Sequence, residues 1–231
     1  MTTAIVKASK FAAIDSRWTD IFDKPVDTIT RKYVYANEEL YLFSGDHLPI
    51  ILEQALLIQA ITEDDYYRFY DLLDPDDVFG CLAIDEHSGG HLEEDGYSFD
   101  WHYGIAYTGS GGLFASNFYY YAKRHRYLSI HGCNIDGALN YAFHWDKCSG
   151  APVRKKIWGR RAFDNTQQTG LDYRLFIEQE INSYFRGVPV DNILKSSMRT
   201  SPAPNGAKVN LASAKSRLAK RKARLEEKSR N

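Results

Sequence analysis

The residues most able to do chemistry stand at the start of the chain, where Met1 is followed by Thr2 and Thr3. If Met1 is removed, Thr2 carries a hydroxyl nucleophile together with its own α-amine, which can accept the hydroxyl proton. An α-amine has an ordinary pKa of about 7.7 to 8.0, close enough to neutrality for proton transfer. The N-terminus is therefore a candidate active site built on a single residue.

Further polar segments at the ends of apolar runs could complete such a site. They contribute Asp15 and Arg17 (residues 13–17), Lys32, Gly45 (44–46), Ser110 (109–112), and Asp146 and Ser149 (146–150). Each also has a simpler explanation. An acid and a base at a strand end form a surface ion pair of little energetic value, and a lysine there is solvated. Serine and aspartate at helix ends are common caps.

Together and in this order, these segments resemble the proteasome β-subunit and HslV peptidase family of N-terminal nucleophile (Ntn) hydrolases. They look especially like the small proteasome-related proteins encoded by phages and some bacteria. The resemblance covers roughly residues 2 to 158. It implies a threonine-type peptidase that uses Thr2 as its nucleophile and needs neither a cofactor nor a metal. It also implies an α+β fold, a four-layer αββα sandwich of two antiparallel sheets between helices.

The resemblance also implies a role for each side chain. Asp15 resembles the buried carboxylate, Lys32 the cation beside the threonine, and Arg17 the basic residue next to that pair. The backbone N–H of Gly45 would point at the oxyanion, and the threonine amine would be surrounded by Ser110, Asp146 and Ser149. Strict spacing back from Gly45 would put Arg31 at the cation position. We prefer Lys32 because the apolar strand residues follow it directly.

The resemblance leaves two functions open. The first is hydrolysis of a peptide or protein substrate, which the nearly complete set of catalytic side chains favours. The second is an inactive proteasome-like scaffold, with an assembly or interaction role, in which only the fold survives. In either case we expect a closed homo-oligomer, a ring or a dimer, because the family buries helix faces between subunits. An unfoldase could feed it.

Composition limits the remaining functions. A chain of 231 residues with 44% hydrophobic content can bury one substantial core and a small appendage. It has no apolar run long enough to span a bilayer and no signal-like start, so we expect a cytoplasmic protein without membrane contact. Residues 208–231 carry nine basic and two acidic residues, a net charge of +7 that leaves about −8 for the rest. That basic segment could contact nucleic acid or a protein, or be solvated and disordered.

Apolar periodicity predicts the elements that position the site. We expect strands near residues 3–6, 11–14, 32–36, 40–43, 79–85, 102–107 and 151–158. We expect helices near 48–60, 63–73, 113–124, 135–145 and 173–186. The domains predicted are a hydrolase domain over 2–158, a helical extension over 159–197, a linker over 198–210 and a basic helical tail over 211–231. Pro202, Pro204 and Gly206 indicate the linker and predict that the tail is isolated from the body.

Overall fold

The computed structural model describes residues 2–20, 22–92, 99–124, 134–159, 164–187 and 207–230. Within these ranges the strands are β1 (Ala4–Lys7), β2 (Phe11–Ile14), β3 (Trp18–Thr19), β4 (Pro25–Val26), β5 (Tyr33–Ala36), β6 (Glu39–Gly45), β7 (Val78–Asp85), β8 (His91–Leu92), β9 (Asp100–His102), β10 (Ile105–Thr108), β11 (Arg154–Ile157) and β12 (Ala207–Lys208). The helices are α1 (His47–Leu57), α2 (Glu63–Tyr70), α3 (Gly112–Arg124), α4 (Asn134–Trp145), α5 (Leu171–Phe185) and α6 (Leu211–Arg230). The mixed α+β class predicted from the sequence is confirmed.

One predicted strand is wrong. The run expected over residues 102–107 is a hairpin in which β9 and β10 pair with Ile105 opposite His102. Tyr103 and Gly104 form its two-residue turn with φ of 49° and 71°. Two positive φ values in succession match the twist of a tight hairpin, and Gly104 adopts such a conformation without strain.

Two antiparallel sheets position the start of the chain. The first has the order β11-β2-β1-β10-β9, so β1 lies at its centre with Ala4 opposite both Ile14 and Thr108. The second has the order β12-β7-β6-β5, with β8 also paired to β7. Because β1 is flanked on both sides, the residues just before Ala4 lie beside the end of β2 and the end of β10.

Each face of these sheets is covered by apolar packing. One cluster joins the two sheets and contains Ala4, Val6, Ala12, Ile14, Leu40, Leu42, Leu82 and Ile84. A second joins the first sheet to α3 and α4 through Ile5, Phe11, Ala13, Ala115, Ala138 and Ala142. A third joins the second sheet to α1 through Val34, Tyr41, Phe43, Ile50 and Leu57. Successive residues of β1 thus face different clusters, as strand geometry requires.

The C-terminal helix packs on the body of the protein. Ala214 and Leu218 of α6 join an apolar cluster with residues of α1, α2 and α5. β12, just before α6, pairs with β7. The expectation that the tail is isolated is therefore wrong, because α6 buries an apolar face of its own. The remaining domain boundaries stay predictions, and much of the predicted linker lies outside the described residues.

Charge pairing reinforces this packing. Arg217 of α6 lies 3.3 Å from the buried carboxylate of Glu53. Arg224 donates to both carboxylate oxygens of Glu39 at 3.0 and 2.9 Å, in the fork geometry that suits arginine. The basic tail and the acidic body predicted from composition are thus partners of each other.

Glu39 and Asp85 contact the basic side chains in the C-terminal half of α6. Burial alone would raise the pKa of Glu39, but hydrogen bonds from Arg224 and Tyr41 and the charges of Arg224 and Lys228 outweigh burial and hold that pKa below its ordinary value. Burial likewise opposes the shift at Asp85, where hydrogen bonds from Ser88 and the nearby Lys228 lower the pKa to about 2. Both carboxylates are therefore charged at neutral pH.

In the part of the chain that the structure describes, no helix combines the length and apolar character needed to cross a membrane.

Replacing Glu39 tests how α6 is held. Glu39→Gln removes the charge that faces Arg224 and Lys228, so we expect the free energy of unfolding at pH 7 to fall by about 2 to 4 kcal/mol. In the parent this stabilisation is present above the ordinary pKa of 4.5 and is lost as pH falls through the lowered folded-state pKa; the variant should lack that loss. Asp76→Asn, which breaks an exposed pair with Lys208, is the matched control and should leave the free energy of unfolding nearly unchanged. Urea unfolding between pH 7 and pH 3 measures both, and equal losses would contradict the assignment.

Candidate active site

The first two described residues are held tightly. Thr2 and Thr3 are completely buried. The backbone N–H of Thr3 donates to Asp15 Oδ1 at 2.9 Å, and its hydroxyl donates to Ser149 Oγ at 2.8 Å. The carbonyl of Thr2 accepts a bond from the N–H of Gly111 at 3.3 Å. Among the described residues, the Thr2 hydroxyl has no hydrogen-bond partner.

A buried ion pair lies next to this segment. Lys32 Nζ is 3.1 Å from Asp15 Oδ2 and 3.3 Å from Oδ1, and both side chains have zero exposure. Asp15 Oδ2 also accepts from the backbone N–H groups of Arg17 at 3.1 Å and Gly150 at 3.2 Å. These extra donors offset part of the cost of burying two charges. The structure thus pairs Lys32, and not Arg31, with Asp15.

Burial changes the proton affinity of both partners. Burial lowers the pKa of Lys32 below its ordinary value, against the opposing effect of the Asp15 charge. Burial raises the pKa of Asp15, although Lys32 and the N–H groups of Thr3 and Gly150 act against that shift. Lys32 therefore holds its proton less tightly than a surface lysine does, which suits a group placed beside a reaction that moves protons.

A second polar network approaches Thr3 from the turn after α4. Asp146 Oδ2 accepts from Ser110 Oγ and from Ser149 Oγ, both at 2.6 Å. Ser149 in turn accepts from Thr3, so the structure brings these predicted residues together beside the start of the chain. The residue they contact there is Thr3, one position after the predicted nucleophile. Their contact with a free Thr2 amine stays a prediction.

Two of the predicted glycines are closely packed around the site, Gly45 against backbone and Gly150 against a side chain. Gly45 ends β6 with φ of +114°, and a Cβ there would lie 2.2 Å from the carbonyl oxygen of Val78. Close packing of β6 on β7 thus accounts for this glycine, and its oxyanion role stays a prediction. At Gly150 a Cβ would lie 2.2 Å from Arg17 Cζ, so the guanidinium rests directly on the Gly150 backbone.

Two residues of the site were not predicted from the sequence. Thr3 supplies both the backbone donor to Asp15 and the hydroxyl donor to Ser149. Trp18 is almost fully buried, its ring centre lies 5.1 Å from Lys32 Nζ, and its indole N–H donates to the Thr30 carbonyl at 2.8 Å. A ring face beside an ammonium stabilises the charged lysine. The second threonine of the Thr2-Thr3 pair was a visible signal for Thr3, whereas none indicated Trp18.

No protein-family model matches the sequence, and no curated protein matches it. Similar solved structures include Thiobacillus denitrificans BPH in complex with epoxomicin, at 14% identity and a TM-score of 0.42, covering 69% of this chain and all of that one. A second structure of Thiobacillus denitrificans BPH matches at 14% identity with a TM-score of 0.41, and the match covers 70% of this chain and 100% of that one. Eukaryotic HslV from Trypanosoma brucei matches at 16% identity with a TM-score of 0.38, and the match covers 68% of this chain and 98% of that one. We therefore infer the function of this chain from its own residues.

Lys32→Met should show how strongly the buried pair is coupled. Removing the ammonium leaves the buried Asp15 carboxyl without its counter-charge, so we expect a loss of about 3 to 5 kcal/mol in the free energy of unfolding. Asp15→Asn combined with Lys32→Met removes both charges, and its loss should be smaller than the sum of the two single losses. Urea unfolding of the four proteins at pH 7 measures the coupling. Strictly additive losses would contradict a direct buried ion pair.

Proposed function

We propose that the protein is a threonine peptidase of the Ntn-hydrolase type, with Thr2 as its nucleophile once Met1 has been removed. One observation carries the proposal. Thr3 is bound on its backbone by Asp15 and on its side chain by Ser149, so the residue joined to it, Thr2, directly precedes the point where the Asp15–Lys32 pair and the Asp146 network approach each other. The buried Thr2 hydroxyl has no hydrogen-bond partner among the described residues, which supports a role as nucleophile.

The reaction follows from this arrangement. The hydroxyl oxygen of Thr2 attacks the substrate carbonyl while the Thr2 amine takes the hydroxyl proton. The amine then gives that proton to the leaving amine of the substrate, leaving an ester on Thr2 that water hydrolyses. The charge of Lys32 disfavours protonation of the Thr2 amine and stabilises the developing alkoxide. Asp15 positions Lys32, and Ser110, Asp146 and Ser149 fix the orientation of the N-terminal residue.

The proposed fold is the four-layer αββα sandwich. Three observations support it: one apolar cluster joins the two antiparallel sheets, a second joins the first sheet to α3 and α4, and a third joins the second sheet to α1. Such a fold would place β1, and with it Thr2, in the interior.

We also propose that the protein assembles into a closed homo-oligomer through α3 and α4. These helices expose aromatic rings that already stack in pairs: Phe114 on Trp145 at 6.2 Å between centroids, and Phe118 on Tyr141 at 5.1 Å. Trp145 is 57% exposed, which is unusual for so large an apolar side chain on a protein without a partner. A second copy of this face would bury the rings around a symmetry axis.

Substitutions at Thr2 test the proposed reaction. Thr2→Ala removes the hydroxyl but keeps the N-terminal amine and the surrounding charges, so cleavage of a fluorogenic peptide should fall by about 1,000-fold or more. Thr2→Ser keeps a hydroxyl and should keep measurable activity. Thr3→Val, the matched control, removes the Ser149 contact without touching the nucleophile and should reduce the rate by no more than about tenfold.

Sedimentation velocity checks that all three variants assemble as the parent does. Cleavage by Thr2→Ala at the parental rate would overturn the assignment of Thr2.

A further inference from the structure

A cavity of about 530 Å³ opens beside the candidate active site. Residues 25–31 form one wall, and residues 16–18 with Ala151, Pro152 and Arg154 form the other. Its volume falls in the range of ligand pockets and is far larger than a small inorganic anion needs. Neither the proposed reaction nor the packing of the core accounts for it.

Three arginines line this cavity without acidic partners. Arg17 donates to the Lys147 carbonyl at 3.2 Å, Arg31 to the Gln167 carbonyl at 3.4 Å and Arg154 to the Asn165 carbonyl at 3.5 Å. No carboxylate of the described residues lies within ion-pair distance of these three guanidiniums. Asp27, also in the lining, is exposed and forms no ion pair within the described ranges.

Several arginines outside the cavity are paired with acids. Arg186, Arg217 and Arg224 each form an ion pair with a carboxylate in the described part of the chain. Guanidinium groups present a fork of donors that matches a carboxylate, and three of them around one space leave that space strongly attractive to an anion. Arg174 and Arg221, outside the cavity, also donate to backbone carbonyls and form no ion pair with a described residue, so what distinguishes Arg17, Arg31 and Arg154 is that all three line one cavity.

The rest of the lining is mixed, with polar groups of Ser16, Asp27, Thr28, Thr30 and Gln167 among apolar side chains. Trp18, Pro25, Val26, Ile29 and Pro152 contribute to the lining, and Trp18 is almost fully buried. A ligand for this space therefore combines a negative charge with a body that contacts both polar and apolar side chains. A peptide segment that carries an acidic side chain has both properties.

The cavity is also connected to the candidate site through Arg17. Its backbone N–H donates to Asp15 Oδ2, and its guanidinium rests on Gly150, whose N–H donates to the same oxygen. Arg17 would thus bind a ligand carboxylate through its guanidinium while its backbone N–H binds Asp15 of the Asp15–Lys32 pair. A peptide held here would therefore contact the same Arg17 segment whose backbone binds Asp15.

We propose that this cavity is an acidic-residue subsite, in which Arg17, Arg31 and Arg154 bind the glutamate or aspartate carboxylate of a peptide substrate. The inference rests on the proposed peptidase function. It predicts that the enzyme selects peptides bearing a negative charge at a fixed distance from the bond it cleaves.

Binding to a non-cleaving protein tests the subsite. Capped alanine-based hexapeptides with a single Glu scanned through each position, and the matching Gln peptides, are titrated calorimetrically into full-length Thr2→Ala. At least one Glu peptide should bind about tenfold or more tightly than its Gln counterpart. Equal affinities for every Glu and Gln pair would overturn the proposal.

Substitutions in the same background locate the binding. Arg154→Gln and Arg31→Gln should each weaken the preferred Glu peptide by about tenfold, and Arg154→Lys, which keeps the charge, by less. Arg174→Gln is the matched control, because Arg174 is exposed, donates to the Gln59 carbonyl and lies outside this cavity. A loss with Arg174→Gln as large as with Arg154→Gln would mean unspecific attraction and would overturn the proposal.

Two further arms separate the ligand and the function. In the first arm, inorganic phosphate is titrated into the same variants. If phosphate binding depends on Arg154 while Glu and Gln peptides bind alike, the ligand is a free anion and not a peptide, which contradicts the proposal. Glu-selective binding by Thr2→Ala supports the subsite even if the parent cleaves no peptide, in which case the peptidase assignment fails alone. Cleavage by the parent without any charge preference retains the peptidase and rejects the subsite.

Discussion

The buried ion pair between Asp15 and Lys32 is the interaction on which the rest of the site depends. Two charges with zero exposure are costly, and they persist only where other groups satisfy them. The groups that satisfy Asp15 are the backbone N–H groups of Thr3, Arg17 and Gly150. The pair therefore draws the start of β1, the end of β2 and the turn after α4 to one point, which is where the proposed nucleophile lies.

Buried acids also hold the C-terminal helix α6 on the body of the protein. Glu53 on α1 and Glu39 on β6 are buried acids that find their cations on α6, more than 160 residues later in the chain. The net charge near zero thus reflects an internal pairing of an acidic body with a basic helix. The arginines of the cavity stand outside this scheme, and their excess of positive charge is what makes a bound anion a reasonable inference.

Local patterns predicted much of this structure. Apolar residues at helical spacing indicated α1 to α5 to within a few residues at most ends. The resemblance carried by the short polar motifs implied that Asp15 holds Lys32 and that Ser110, Asp146 and Ser149 surround the threonine amine; the structure pairs the first two and brings the other three together beside Thr3. These features depend on periodicity or on short motifs, both of which are visible in a single sequence.

Long-range packing could not be predicted in the same way. Pro202, Pro204 and Gly206 indicate a break in regular structure but do not reveal where the following helix docks, and α6 docks through pairs such as Arg217 and Glu53. The contact of Thr3 with Ser149 depends on how the segment before β1 is oriented relative to the turn after α4, and a run of two threonines does not settle that. The cavity combines arginines from three distant segments, so it exists only in the folded chain.

The central claim is that Thr2 becomes an N-terminal nucleophile, and peptide mapping by mass spectrometry tests it most directly. The purified protein is treated with a peptidyl electrophile directed at threonine, digested with trypsin and compared with an untreated sample. The account predicts an N-terminal peptide that begins at Thr2, ends at Lys7 and gains the mass of the reagent on Thr2. A peptide that still begins with Met1, or a processed Thr2 that stays unlabelled, would contradict the claim and favour an inactive scaffold.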